Sequence, residues 1–85
     1  MKVRRDDQQV SLNIIGEQIS AWRKSKGLTQ EYVAEKAGLG RTHLSRIESG
    51  QANPSLLTLY NIAVSMYLPL NRMLTERPYR DTGYN

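Results

Sequence analysis

Residues 28–50 read LTQEYVAEKAGLGRTHLSRIESG, and the way this stretch divides into helices decides the fold. Thr29 is a good N-cap, because its hydroxyl can accept a hydrogen bond from a free backbone N–H of the first turn. The helix it opens is expected from Gln30 to Ala37, with Val33, Ala34 and Ala37 on its inward side. Gly38 closes it, and a second short helix is expected over about Arg41 to Ser49, closed in turn by Gly50. Two short helices joined by a tight turn with glycine are a helix-turn-helix signature over residues 30–48. Ala34 and Ala37 are small enough to let the pair cross closely, and Gly38 can take positive φ at the bend without a Cβ clash.

On a wheel of roughly 100° per residue, Leu44 and Ile47 define the inward face of the second helix, with Leu39 packing just before it. Thr42 and Arg46 point outward, flanked by His43 and Ser45, and Arg41 stands at the exposed leading end. No carboxylate shares that face. Arginine can pair with guanine O6 and N7 through two hydrogen bonds, and serine or threonine can reach bases or phosphates. A recognition helix presents its leading residues to base edges, which is where Arg41, Thr42 and His43 lie. The competing account is a solvated polar face on an ordinary helical bundle.

Outward from this unit the pattern stays helical. Ile15, Ile19 and Trp22 recur at i, i+4 and i+7 in a helix expected from Asn13, with Arg23, Lys24 and Lys26 near its end and Gly27 as its stop. After the turn Asn53-Pro54-Ser55, a fourth helix is expected from Ser55 to about Tyr67. Pro69 restarts the chain into a short fifth helix through Leu74. No stretch alternates with period two for long enough to make a sheet. The expectation is an all-α, compact five-helix bundle over residues 13–76, with a flexible segment at 1–12 and an irregular tail at 77–85.

Composition narrows the function. Eighty-five residues form one domain, and a net charge of +4 with pI near 9.7 favours polyanionic partners. No cysteine is present, which removes disulfides, thiolate metal sites and a cysteine nucleophile, and suits a cytoplasmic location. No signal peptide and no apolar run near the ~20 residues of a membrane span are visible, so no membrane role is expected. The single histidine, His43, has no partners for catalysis or metal binding, and no phosphate-binding glycine loop occurs. Neither an enzyme, a metal site nor a cofactor is expected.

The stretch LTQEYVAEKAGLGRTHLSRIESGQANPSLLTLYNIAV resembles the Cro/lambda-repressor-like (XRE-type) helix-turn-helix family of transcriptional regulators. The resemblance rests on Leu28-Thr29-Gln30, the spacing of Ala34 and Gly38, Leu44-Ser45-Arg46-Ile47-Glu48, Gly50, Pro54-Ser55-Leu56 and Ile62-Ala63. It runs from about Ile15 to Leu74 and implies a five-helix bundle, double-stranded DNA as partner, and a repressor-type function. It implies base reading by Arg41, Thr42, His43, Ser45 and Arg46. Phosphate contacts are implied for Gln30 and for Ser49, Gly50, Gln51 and Asn53, and a structural salt bridge for Arg23 and Glu48. Two departures reduce the support for that face. Gly40 stands where the family commonly has a Ser or Thr cap, and Gln51-Ala52 replaces frequent basic residues. Phosphate neutralisation then falls to Arg41, Arg46 and Lys36, or to Lys2, Arg4 and Arg5, although Asp6 and Asp7 follow at once and favour a solvated tail.

Between Glu48 and Arg72 no charged residue occurs. On the fourth helix a core stripe of Leu56, Leu59, Ile62, Ala63 and Met66 lies roughly 120° from a second stripe of Leu57, Tyr60, Val64 and Tyr67. The second stripe either packs within the monomer against Leu70, Met73 and Leu74, or forms a homodimer interface comprising Leu57, Tyr60, Val64, Tyr67 and Met73, with Tyr79 and Tyr84 beside it. A dimer would match a palindromic operator. An antitoxin or another protein-interaction module of this fold is the alternative, and would bring a protein partner as well as DNA.

Overall fold

The computed structural model describes residues 2–78. It contains α1 (Arg5–Ser25), α2 (Gln30–Ala37), α3 (Arg41–Glu48), α4 (Leu56–Ser65) and α5 (Leu70–Thr75). No strand occurs among the described residues. Packing α1 against α3 and α5, and α2 against α3 and α4, encloses one core. Ile19, Val33, Leu44, Ile47, Ile62, Met66 and Met73 are its fully buried side chains. Each such side chain contributes roughly 1.5–3 kcal/mol by leaving water.

Four helices end in the same way. The N–H of the residue after the left-handed position turns back to a carbonyl five residues earlier: Leu28 to Arg23, Leu39 to Ala34, Gln51 to Arg46 and Leu68 to Ala63. The left-handed residue in these turns is Gly27, Gly38 and Gly50 in the first three. In the fourth it is Tyr67, at φ 60°, the one non-glycine residue with positive φ among the described residues. N-terminal caps follow the side chains available. Thr29 accepts from the Tyr32 N–H at 3.0 Å and Ser55 from the Thr58 N–H at 3.0 Å, while Gly40 offers α3 none.

Three sequence expectations change. The segment through residue 12 is helical from Arg5, not loose. Asp6 and Asp7 lie in its first turn, where carboxylates stabilise the positive end of the helix dipole, and Gln9 is tied to the body of the protein. Leu56 belongs to the expected core stripe but is exposed, because it is the first residue of α4 and overhangs the core. Met73 is fully buried, so it is core and not interface.

Two polar features on α1 hold it to its neighbours. Gln18, itself buried, donates to the Met73 and Glu76 carbonyls at 2.9 and 2.8 Å, and Trp22 Nε1 donates to the Glu76 carbonyl at 2.9 Å. Carbonyls at the end of α5 that have no helical partner are satisfied in this way. On its other side α1 meets the end of α3 at Gly16. A Cβ there would fall 2.5 Å from the Ile47 carbonyl oxygen and 2.8 Å from the Glu48 carbonyl carbon, so only glycine fits without movement.

Candidate nucleic-acid interface

α3 carries its two faces cleanly separated. Leu44 and Ile47 are buried, whereas Arg41, Thr42, His43 and Arg46 are exposed and Ser45 is half-buried. The exposed set comes from one and a half turns of a helix whose inner side is clamped between α1 and α2. No carboxylate lies on that outer face, since Glu48 turns inward. Arg46 is not extended freely: its Nη2 donates to the Gln51 carbonyl at 3.1 Å, which fastens the loop after α3 to the helix. A guanidinium has five N–H donors in a planar fork, so this contact leaves others available for an acceptor outside the chain.

The helix is fixed by a polar cluster at its far end. Arg23 Nε donates to Glu48 Oε2 at 2.7 Å, and Nη2 to Glu48 Oε1 at 3.0 Å. The same guanidinium donates through Nη1 to the Leu28 carbonyl at 2.9 Å, and Gln30 Nε2 donates to Glu48 Oε1 at 3.0 Å. One carboxylate thus joins the end of α1, the start of α2 and the end of α3. The two charged side chains are only 11% and 6% exposed, so the pair is largely dry and its geometry, a two-pronged fork, is what compensates the lost hydration. Gln30 is therefore a brace on α3, and it retains a second amide N–H.

The loop from Ser49 to Asn53 follows. Ser49, Gln51 and Asn53 are exposed. Gly50 is not: it is buried, its N–H donates to the Ile47 carbonyl, and its own carbonyl accepts from Gln9 Nε2 at 2.9 Å. With both backbone groups engaged it drops out of the phosphate-facing set. Its contribution is conformational, because φ is +78° and a Cβ would collide with the Asn13 side chain. Gly16, Gln9 and Asn13 escaped sequence reasoning. Polar residues on the first turns of α1 carry no periodic apolar signal, and Gly16 is marked only by its spacing from Ile19.

The second stripe of α4 faces solvent. Leu57, Tyr60, Val64 and Tyr67 are 67%, 53%, 51% and 81% exposed, which rules out their burial within the described monomer. At its end Tyr67 lies beside Tyr32 of α2, and the Tyr67 hydroxyl holds the Tyr32 phenol above its ordinary titration range. Tyr79 and Tyr84 lie outside the described residues.

Comparison with known proteins adds the following. The helix-turn-helix family HTH_3 matches residues 19–66. The immunity repressor protein of Bacillus phage phi105 is 40% identical over 62 residues, which span 73% of this chain and 43% of that protein. SinR, an HTH-type transcriptional regulator of Bacillus subtilis, is 35% identical over 73 residues, spanning 85% of this chain and 64% of SinR. Both relatives are thus longer than the part of them that this chain matches. Among solved structures, the restriction-modification controller protein C.AhdI from Aeromonas hydrophila superposes with a TM-score of 0.73 at 30% identity, covering 75% of this chain and 97% of that one. No helix is long and apolar enough to cross a membrane, and no cluster of His, Cys, Asp or Glu suited to a metal ion occurs among the described residues.

Proposed function

The chain belongs to the XRE-type helix-turn-helix family and is a DNA-binding transcriptional regulator, and from that premise we propose that it acts as a dimeric repressor whose α3 reads each half of a palindromic operator. The observation that carries this reading is the exposed face of α3. Arg41, Thr42, His43 and Arg46 project from a short helix whose far end is locked by Arg23, Gln30 and Glu48. Rigid placement matters because a base-reading fork that wanders loses the geometry of a bidentate contact. Arg41, Thr42 and His43 take the base edges nearest the helix start, with Ser45 and Arg46 one turn on. Gln30, Ser49, Gln51 and Asn53 take the flanking phosphates.

The exposed apolar stripe of α4 supports dimerisation. A contiguous apolar strip in a small monomer favours a partner surface, and an isologous pairing sets two reading helices about one DNA turn, ~34–36 Å, apart. The strained Tyr67 supports this choice: glycine fills the equivalent turn three times elsewhere, whereas here an exposed aromatic side chain stands at a conformational cost. The working location is the cytoplasm, where the DNA is, and the role is binding, not catalysis.

Selection of bound duplexes from a random pool, followed by fluorescence polarisation at physiological salt, tests the reading. The expected product is an inverted repeat with half-sites one helical turn apart. Arg46→Ala should cost about 1–3 kcal/mol on that site and relax preference at one base position. Equal affinity for all duplexes would refute sequence-specific reading by α3.

A further inference from the structure

The first turns of α1 lie outside the residues matched by the family, yet they are joined to the reading unit by specific hydrogen bonds. Gln9 Nε2 donates to the Gly50 carbonyl at 2.9 Å and to Asn13 Oδ1 at 2.9 Å. Asn13 in turn lies against Gly50, where a Cβ would meet it. Gly50 is the left-handed hinge of the loop that follows α3. The amino-terminal end of α1 is thereby pinned to the loop that carries Ser49, Gln51 and Asn53.

Arg5, Gln9 and Asn13 are spaced i, i+4 and i+8, so they form one row along the helix. Arg5 stands one turn, ~6 Å, beyond the Gln9–Gly50 contact on that row. It is exposed, as are Arg4 and Lys2 just before it. The loop itself has no charge, and none occurs from Ser49 to Asn71, so a cation beside this turn must come from another element. On α3 Arg46 reaches this loop, at the Gln51 carbonyl, and on α1 Arg5 is the cation in line with the Gln9 contact. Of the nearby acids, Asp7 lies on the opposite side of α1 from Arg5, whereas Asp6, roughly 60° around the helix from Gln9, borders the row and offsets part of the Arg5 charge while facing the helix dipole's positive end.

We propose that the first two turns of α1 are part of the DNA interface: Gln9 locks them to the Gly50 turn, and Arg5 supplies the phosphate backbone with a cation that the uncharged loop lacks. Gln9 is a positioning residue and touches no DNA. Arg5 contacts the backbone flanking the half-site without reading sequence, as phosphate contacts in general orient a protein without specifying bases. The inference rests on the docking of α3 proposed above.

The test uses Arg5→Gln, Gln9→Met and the double variant of the full chain, with Arg46→Ala alongside, on the selected operator and on a random duplex. Gln9→Met keeps length and helix propensity and removes the side-chain amide, and with it the donor to Gly50. Arg5→Gln should weaken both duplexes alike, on the order of fivefold per protomer at ~0.1 M salt, and the slope of log K against log salt should become shallower by about 0.9 for each protomer bound, about 1.8 for the dimer. Gln9→Met should produce part of the same loss with the melting temperature little changed. It should add nothing in the Arg5→Gln background, because its effect acts through Arg5. A Gln9 that merely stabilised the fold would give an additive loss and leave the salt slope intact, which would overturn its positioning role. An unchanged slope in Arg5→Gln, with relaxed specificity in Arg46→Ala, would overturn the α1 contact and leave the α3 reading standing. If Arg46→Ala changes nothing while Arg5→Gln flattens the slope, the docking of α3 fails and the cationic role of Arg5 survives.

Discussion

Glu48 accepts hydrogen bonds from Arg23 Nε, Arg23 Nη2 and Gln30 Nε2, and so fixes three helices through one side chain. Its position in a largely dry cluster makes it sensitive to a change that hardly alters its shape. Glu48→Gln replaces one acceptor oxygen with an NH2 group that faces donors, and leaves the Arg23 guanidinium short of a counter-charge. The expected loss is on the order of 2 kcal/mol, read as a lowered melting temperature by circular dichroism. DNA affinity should fall with it at temperatures where the variant is still folded, since α3 loses its anchor. A variant with unchanged melting temperature and unchanged affinity would show that the pair positions nothing. Gly16 is constrained in another way: it is dictated by backbone approach alone, with the carbonyls of Ile47 and Glu48 occupying the space of a side chain.

At the scale of the element, α4 is the unusual helix. It has no charged residue, its inner face supplies Leu59, Ile62 and Ala63 to the core, and its outer stripe stays in water. It also ends on Tyr67 in a conformation that costs a side-chain-bearing residue roughly 1–2 kcal/mol. Tyr67→Gly relieves that strain but adds the backbone entropy of glycine to the unfolded chain, ~0.5–1 kcal/mol in the other direction. The net expectation for the isolated monomer is a gain of about 0.5 kcal/mol, measured by urea denaturation at low protein concentration. Association should weaken in the same variant. Opposite signs in the two measurements separate strain from contact, and a destabilised monomer would show that Tyr67 is held by packing inside its own chain.

For the whole molecule the question is how many copies make the working unit. The apolar strip Leu57, Tyr60, Val64 and Tyr67 is continuous along one helix face, and a charge placed in its middle cannot be tolerated across a two-fold contact where it would meet its own copy. Val64→Glu alters a half-exposed residue, so the monomer fold should persist with a stability change within about 0.5 kcal/mol. Sedimentation velocity at tens of micromolar should give a dimer for the parent chain and a monomer for the variant. The variant should keep weak binding to a single half-site and lose the tight binding to the full inverted repeat. A parent chain that sediments as a monomer at these concentrations refutes the dimer.

Local signals in the sequence were enough for the helix-turn-helix, the five elements and the outward set on α3. Caps at Thr29 and Ser55, a stop at Gly38 and the spacing of Leu44 and Ile47 are properties of a few neighbouring residues, and they act before any tertiary contact forms. The family resemblance likewise pointed to Arg23 and Glu48 as a pair. What only the tertiary structure decided depended on residues far apart in the chain. α1 reaches back to Arg5 because Gln9 finds the carbonyl of Gly50, Met73 is core because α1 and α4 close over α5, and Gly50 is withdrawn from the surface by Asn13. Hydropathy and spacing report how one helix divides its faces. They do not report which distant backbone will arrive against a polar row, and that arrival pins a charged amino-terminal segment to the loop after α3.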